Sequence, residues 1–186
     1  MLRPSIVLTL AALAWGSWTG AAAAQHQRPY EFDDTHVAVS FERFFGIDYY
    51  AFEDPGPSDV TVRLLINASE PVPTTIARAG VDVFIKRLSL GVAGGVASDD
   101  VAIIAPRVGY MFGLTPELGL WLRGGAFYAA GSADYFGVSA EALFSWFPYS
   151  YLAFHFGPTL DVAFAEDPNL DYMSIGIPEV GMTALF

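Results

Sequence analysis

The side chains best suited to acid–base chemistry in this chain are one histidine and the carboxylates that could reach it. His155 lies in an alternating stretch that places Asp161 on the same face, and Glu141 occupies the matching face of the preceding stretch. A histidine held by a carboxylate can act as a general base. The other histidines, His26 and His36, share no metal-ligand spacing with it or with each other, so the sequence predicts no metal site.

A hydrolase would also need a nucleophile beside that histidine. The next residue on the face of His155 is Gly157, and Ser139 or Ser145 could reach the imidazole only if the strand register allowed it. The glycine-rich segment 91–95 opens no helix, so it does not form a phosphate cradle. The sequence therefore predicts neither an enzyme nor a cofactor site.

The charged residues that alternate with apolar ones form a larger set. An arginine side chain binds two carboxylate oxygens through its planar fork, and an unpaired charge removed from water costs on the order of several kcal/mol. Three arginines, five carboxylates and one histidine are predicted on the inner face of the sheet: Glu42, Arg78, Asp82, Arg107, Arg123, Glu141, His155, Asp161 and Glu179. We expect these side chains to form a connected ion-pair network that fills the interior.

The elements that must position these side chains are β-strands, because apolar residues recur at every second position. Successive side chains of a strand point to opposite faces of its sheet. In the last but one stretch Leu152, Phe154 and Phe156 share one face, while Ala153 and His155 share the other. The same alternation is present near 36–45, 77–85, 88–96, 104–112, 118–128, 136–146, 152–164 and 176–186. The sequence thus predicts an all-β fold, an eight-stranded antiparallel up-and-down transmembrane β-barrel.

Strand length and the C-terminal strand decide which face lies outside. Several stretches exceed the roughly 5–6 residues of ordinary strands and reach the roughly 9–11 that a tilted strand needs to cross a bilayer. The last stretch ends in Phe186, and its apolar face runs back at every second residue to Gly176. A membrane barrel turns such a face to lipid and keeps its polar face inside. Arg43 would then face lipid, so we predict a bulge near Glu42–Phe45.

The N-terminus has the order of a secretory signal peptide. Arg3 is followed by the apolar stretch 6–15 and by small residues up to position 24, and this stretch is shorter than the about 20 residues of a spanning helix. We predict a signal peptide at 1–24, a short N-terminal segment at 25–35 and the barrel at 36–186. The chain has no cysteine for a disulfide, and its net charge of −11 argues against nucleic acid as a partner.

The predicted connections are short at one end of the barrel and longer at the other. Short turns at 86–87, 115–117 and 148–150 would face the periplasm, and loops at 50–74, 98–101, 130–135 and 165–171 would face outward. These loops hold half of the acidic residues, and the longest contains an alternating stretch from Val60 that could extend the first hairpin. Aromatic residues near both ends predict two interfacial girdles, formed by Tyr110, Phe112, Phe144, Trp146 and Phe147 near the turns and Tyr128, Phe136 and Phe164 near the loops.

A resemblance to a known family rests on three segments. Residues 106–110 (Pro-Arg-Val-Gly-Tyr), 120–125 (Leu-Trp-Leu-Arg-Gly-Gly) and the terminal 181–186 are similar to the small eight-stranded outer-membrane β-barrel family, the OmpA-like and OmpX-like barrels. The resemblance implies a bacterial outer-membrane location and a monomer surrounded by lipid and lipopolysaccharide. It also implies that Phe186 is the signal read by the outer-membrane assembly machinery.

The interior of an eight-stranded barrel is wide enough only for side chains. We therefore predict an integral outer-membrane barrel with a filled lumen, serving envelope structure or surface interaction through its acidic loops, chiefly 50–74. Two alternatives stay open. A soluble exported lipocalin-like barrel would bind an apolar ligand and place Arg107, Arg123 and Asp161 on a wet exterior. A narrow pore would need a water path past the same charged residues.

Overall fold

The computed structural model describes residues 30–52, 59–64, 76–96, 101–131, 134–165 and 171–186. Their period-two pattern forms β-strands throughout: β1 (His36–Phe52), β2 (Asp59–Leu64), β3 (Arg78–Ile85), β4 (Leu88–Val96), β5 (Ala102–Thr115), β6 (Leu118–Ala130), β7 (Tyr135–Tyr149), β8 (Leu152–Ala165) and β9 (Tyr172–Leu185). The described residues contain no helix long and apolar enough to cross a membrane.

The sheet closes on itself to form a barrel. Each strand from β3 to β8 pairs antiparallel with the next along the chain, and β1 pairs with both β3 and β9. At the closing seam Val37 N donates to the Phe186 carbonyl at 3.0 Å, and Phe186 N donates back to the Val37 carbonyl at 2.9 Å. The predicted fold, an eight-stranded antiparallel up-and-down barrel, is confirmed.

The second barrel strand is formed by two separate pieces of chain. β3 pairs with β1 from His36 to Glu42, whereas β2 pairs with β1 from Phe45 to Tyr50 along the same edge. The predicted extension of the first hairpin from Val60 is therefore present as β2. The chain leaves this edge after Leu64 and returns at Arg78, so the switch between the two pieces lies beside residues 42–45 of β1.

A β-bulge interrupts β1 at the same level. Its register with β9 shifts between Phe41 and Phe45, and Arg43 has a φ of 54°, in the left-handed region. Two consecutive residues, Glu42 and Arg43, are consequently both buried. The predicted bulge is present, and it turns Arg43 into the barrel.

A second irregularity lies in β9. Gly157 pairs with Glu179 and Thr159 pairs with Gly176, so two residues of β9 lie opposite one of β8. Because of this extra residue, the residues of β9 that precede it point to the opposite face from the one that alternation predicts. Gly176 therefore lies on the inner side of the barrel. The prediction that placed Gly176 on the lipid face was wrong, because alternation counted back from Phe186 does not account for the extra residue.

Apolar side chains cover the outside of the barrel, as the alternation predicts. Val81 is 46% exposed and Phe136 is 57% exposed, whereas the charged Asp161, on an inner position, is 1% exposed. Exposed aromatic residues lie near both ends: Tyr110, Phe112, Phe144 and Trp146 near the turns, Tyr128, Phe136 and Phe164 near the loops. Phe147 was wrongly assigned to the girdle, because it follows the outward Trp146 and so points inward, where it is buried.

The interior is stacked in three layers. An apolar turn-end layer consists of Tyr30, Ala38, Phe84, Met111, Trp121, Leu143, Phe147, Ala153 and Leu185, with Phe32 packed against it. An apolar loop-end layer consists of Ile103, Ala105, Phe127, Ala129, Tyr135, Ala163 and Tyr172. A layer of charged side chains lies between them. Most of the predicted outer loops, and the predicted signal peptide, lie outside the described residues.

Candidate functional site

Seven side chains of the middle layer form one continuous chain of ion pairs. Acids and arginines alternate along it, in the order Asp82, Arg107, Glu42, Arg123, Glu141, Arg43 and Asp161. The seven come from β1, β3, β5, β6, β7 and β8. We call this set, with the neighbouring Arg78 and Glu179, the charged layer. Because its members are carried by inward positions on seven strands, the layer assembles only when the barrel closes.

Glu42 is the centre of the charged layer. Its carboxylate accepts from Arg107 Nη1 at 2.6 Å and Arg107 Nη2 at 2.8 Å, and from Arg123 Nη1 and Nη2 at 2.9 Å each. Two forked guanidinium groups on one carboxylate supply charge-assisted hydrogen bonds in place of lost hydration. Arg123 continues the chain by donating from Nε to Glu141.

Arg43 closes the other end of the chain, and the predicted network did not include it. Its Nη2 donates to Glu141 Oε1 at 2.6 Å, and its Nη1 donates to Asp161 Oδ2 at 2.6 Å. The side chain is 2% exposed. The one sequence signal for this role was the conflict between Arg43 and the lipid face, since a bulge that resolves the conflict also turns the guanidinium inward.

The opposite end of the chain is the pair between Asp82 and Arg107. Arg107 Nε donates to Asp82 Oδ1 at 2.9 Å, and Arg107 Nη2 donates to Asp82 Oδ2. Gly91 lies across the strand pair from Asp82, and a Cβ there would meet the Asp82 carboxylate and the Val81 carbonyl. A glycine at this position therefore leaves the space that the carboxylate occupies.

The two remaining charged residues of the predicted set are buried beside the chain. Arg78 is 2% exposed and Glu179 is 3% exposed, and Glu179 accepts a hydrogen bond from Thr159 Oγ1 at 3.3 Å. With Arg43 included, the described interior holds four arginines against five carboxylates. The charges thus balance more closely than the three arginines of the sequence prediction implied.

His155 lies inside the barrel but does not pair with a carboxylate. Its Nδ1 is 2.8 Å from Ser145 Oγ, directly across the β7–β8 pair, and its Nε2 is 2.7 Å from Thr183 Oγ1. Glu141 and Asp161, the two carboxylates that the sequence offered as partners, are bound to arginines instead. We call Ser145, His155 and Thr183 the histidine group. A neutral imidazole, with one donor and one acceptor nitrogen, satisfies both hydroxyls.

The histidine group has the serine–histidine contact of a hydrolase, but a substrate cannot reach its serine. Ser145 is 0% exposed and His155 is 3% exposed, so no substrate carbonyl can approach the hydroxyl. A nucleophilic serine must reach its substrate as well as its base. The arrangement therefore holds strands β7, β8 and β9 together and does not resemble a working catalytic site.

Trp121 joins the charged layer to the turn-end layer. The Arg123 guanidinium carbon lies 4.4 Å from the indole centroid, a cation–π contact. The indole Nε1 donates to Ser89 Oγ at 2.9 Å, and the ring lies 5.4 Å from that of His155. Trp121 is fully buried, so both its ring and its polar atom are used inside the barrel.

Small cavities border the charged layer. Two cavities of about 10 Å³ each lie beside it, one bordered by Glu42, Arg43 and His155 and the other by Arg78 and Arg107. Each cavity has room for about one water molecule. In the described residues no group of three or more histidines and acids is arranged to hold a metal ion.

Comparison with known proteins supports the fold. No family model and no curated protein matches the chain. Neisserial surface protein A (NspA) is 13% identical with a TM-score of 0.53, covering 82% of this chain and 97% of its own. Ail, the attachment invasion locus protein of Yersinia pestis, is 8% identical with a TM-score of 0.49, covering 82% and 99%. The N-terminal β-barrel domain of Pseudomonas aeruginosa OprF is 10% identical with a TM-score of 0.46, covering 81% and 97%.

Proposed function

We propose that this chain, which has the fold of the small eight-stranded outer-membrane β-barrels, is an integral protein of a bacterial outer membrane. Its lumen is filled by side chains, and it serves envelope structure or surface interaction through its loops. The observation that carries the proposal is the distribution of side chains in the barrel, with apolar groups outside and paired charges inside.

The outer surface is suited to lipid and unsuited to water. Leu90 is 49% exposed, Phe156 48% and Phe164 50%, and such residues surround the barrel on strands β3 to β9. Soluble monomers rarely expose apolar patches larger than a few hundred Å². A soluble barrel that binds an apolar ligand would need the reverse arrangement, because here the middle of the interior is charged.

The filled interior favours a structural or surface role over transport. Three layers of side chains cross the lumen, and the two cavities beside the charged layer each have room for about one water molecule. A narrow pore would require the ion pairs of Glu42, Glu141 and Asp161 to separate. Any interaction at the cell surface would then be made by the loops, which are rich in acidic residues.

Two acidic residues at the loop end accept hydrogen bonds from neighbouring strands. Tyr128 donates from its hydroxyl to Asp134 Oδ2 at 2.8 Å, and Ala165 N donates to Asp171 Oδ1 at 2.7 Å. These contacts fix the points where the connections leave β6 and enter β9. The remaining acids of the loops are the ones proposed to meet lipopolysaccharide or a surface partner.

The location can be tested by separating inner and outer membranes and comparing gel migration with and without boiling. We expect the protein in the outer-membrane fraction, with a mobility that changes on heating, because a closed barrel resists detergent until it is heated. Recovery in the soluble periplasm without a mobility change would contradict the proposal.

We also propose that the terminal aromatic residue guides assembly. Phe186 is 58% exposed on the outer face, and its backbone bonds to Val37 close the barrel, so an assembly factor that holds β9 would meet this side chain. Phe186→Ser should lower the amount of heat-modifiable barrel without changing synthesis. Phe156→Ser, at an outward position of similar exposure away from the seam, is the matched control. Equal yields from both variants would remove the assembly role.

A further inference from the structure

A short segment ahead of β1 folds back into the turn end of the barrel. Tyr30 is 5% exposed and belongs to the turn-end layer. Its ring stacks on Phe147 with centroids 4.1 Å apart and planes 6° apart, and it meets Phe32 edge to face at 4.8 Å. Burial raises the pKa of the Tyr30 hydroxyl above its ordinary value. The polar segment predicted at 25–35 thus contains two aromatic anchors.

The barrel has space shaped for this segment. Gly113 and Gly119 lie directly opposite each other in the β5–β6 pair, and the Phe32 ring covers both. A Cβ at Gly113 would lie 2.9 Å from Phe32 Cδ2, and a Cβ at Gly119 would lie 2.9 Å from Phe32 Cε1. Any larger residue at either position would push the ring away, so the paired glycines form a seat for Phe32.

The segment around Tyr30 is held by side-chain contacts and a turn, whereas β1, which follows it, is held by the hydrogen bonds of the sheet. The strand ladder begins at His36, which pairs with Phe84. Before it the chain makes a turn, with Asp34 N donating to the Glu31 carbonyl at 3.3 Å. Release of the segment at this boundary would leave the pairings of β1 intact.

One exposed ion pair fastens the outer side of the segment. Arg87, in the β3–β4 turn, donates from Nε to Asp33 Oδ1 at 2.8 Å and from Nη2 to Asp33 Oδ2 at 3.2 Å. The Arg87 side chain is 37% exposed and that of Asp33 is 71% exposed. A pair so open to water is a weak fastening, which contrasts with the buried aromatic anchors beneath it.

From these contacts we propose that residues 30–34 form a hinged stopper that controls the access of water and small solutes to the lumen from the turn end. The hinge is the boundary between Thr35 and the first ladder residue. Beneath the stopper the aromatic contacts lead inward from Phe84 to Trp121, 5.1 Å apart, and from Trp121 to His155, 5.4 Å apart. These rings stay in place when the stopper leaves, so its departure exposes the turn-end layer around Ala153 and brings water closer to the histidine group.

An engineered cysteine can report on the stopper, because the chain has no cysteine of its own. Ala153→Cys places a thiol in the turn-end layer at a position that is 1% exposed, and Ala129→Cys places one in the loop-end layer at a position that is 0% exposed. Each reporter is built into the mature barrel, folded in detergent micelles and verified by its heat-dependent gel shift. The measurement is the rate of labelling by a water-soluble maleimide.

We expect the labelling rate at position 153 to depend on the stopper and the rate at position 129 to be independent of it. Tyr30→Ala should accelerate labelling at 153 by about tenfold or more, the effect of a local opening, and leave the rate at 129 unchanged. Equal rates at 153 with and without Tyr30, or equal acceleration at both positions, would overturn the stopper.

The exposed ion pair supplies a variant that leaves the interior untouched. Arg87→Ala should accelerate labelling at position 153 by a few-fold, and Arg87→Asp combined with Asp33→Arg should restore the slow rate. If Tyr30→Ala does not give a heat-modifiable barrel, Arg87→Ala decides the question, and an unchanged rate in this variant contradicts the proposal.

Discussion

The charged layer and the turn-end layer fill neighbouring sections of the same barrel with opposite kinds of interaction. In the charged layer Glu42 and Glu141 each bind two arginines, so each of these carboxylates has defined partners on particular strands. In the turn-end layer Phe84, Met111 and Leu143 pack by shape alone. Both layers are buried inside the barrel, but only the charged layer specifies which strands must lie near one another.

The difference is in how each layer responds to a change. An apolar contact can be replaced by another of similar volume at a cost of less than about 1.5 kcal/mol. Removal of one partner from a buried ion pair leaves the other charge without compensation and costs about 3–5 kcal/mol. Substitutions in the charged layer should therefore cost more folding free energy than substitutions in the apolar layers, although the apolar layers bury the larger side chains.

The largest effect is expected from Arg123→Leu. This change leaves Glu42 with one arginine and Glu141 with one, in a layer where neither can regain water, so the free energy of unfolding should fall by about 3–5 kcal/mol. Urea unfolding of the detergent-folded barrel measures it. Arg87→Leu, which removes an exposed arginine, should leave the midpoint nearly unchanged, and equal midpoints for the two variants would contradict the network.

A pair of shape-conserving substitutions compares the two layers directly. Glu141→Gln keeps the size of the side chain but removes the charge that faces Arg43 and Arg123, and should cost about 2–3 kcal/mol. Met111→Leu, in the turn-end layer, should cost less than about 1.5 kcal/mol. If the methionine variant is the less stable one in the same urea titration, packing and not charge is the stricter constraint.

Two glycines, one beside each layer, give a smaller contrast. A Cβ at Gly91 would lie 2.5 Å from the Val81 carbonyl and would also meet the Asp82 carboxylate, whereas a Cβ at Gly119 would meet the side-chain ends of Met111 and Phe32. Gly91→Ala should lose about 1–3 kcal/mol through overpacking against fixed atoms. Gly119→Ala should lose less, because its two nearest contacts are side-chain atoms that can move and its backbone contact, the Phe112 carbonyl, is farther away at 3.3 Å. The thermal midpoint of the gel shift ranks the two variants.

The smallest effect is the pH response of the stopper. Hydrogen bonds from Arg87 lower the pKa of Asp33 and outweigh the opposing desolvation, and the positive charges of Arg87 and Lys86 add to the lowering. The contribution of Asp33 is therefore complete above the pKa of a free aspartate, about 3.9, and is lost as the pH falls through the lower pKa of the folded state. In the Ala153→Cys reporter, labelling should stay constant from neutral pH to about pH 5, after correction for thiol ionisation, and protein folded in more acid solution should show a looser stopper. A rise in labelling already near pH 6 would point to another group, since aspartate is fully ionised at about that pH.

Alternation in the sequence predicts the strands and most of their faces because a strand has a fixed period of two. Residues such as Asp82, Arg107 and Arg123 need only that period to be placed inside, and the structure places them there. The period fails where an extra residue enters a strand. The bulge beside Arg43 could be predicted because a charge would otherwise face lipid, whereas no residue near Gly176 creates such a conflict and that bulge was missed.

The partners within the charged layer could not be predicted from the pattern. A period of two says that His155 and Glu141 point inward, but their contacts depend on strand register and on how far each side chain reaches. In the structure His155 contacts the hydroxyls of Ser145 and Thr183, and Glu141 forms ion pairs with Arg43 and Arg123. The stopper was missed for a different reason, because the short run around Tyr30 and Phe32 is not periodic.

The central claim is that the barrel is apolar outside and charged inside, and two tryptophans can test it directly. Outside the predicted signal peptide the chain has Trp121, which is 0% exposed inside the barrel, and Trp146, which is 50% exposed on the outer face. Trp146→Phe and Trp121→Phe leave one fluorophore each. In vesicles with brominated acyl chains, we predict strong quenching of Trp146 and little quenching of Trp121. Quenching of Trp121 by the brominated lipid, with Trp146 quenched by acrylamide from the water, would contradict the account.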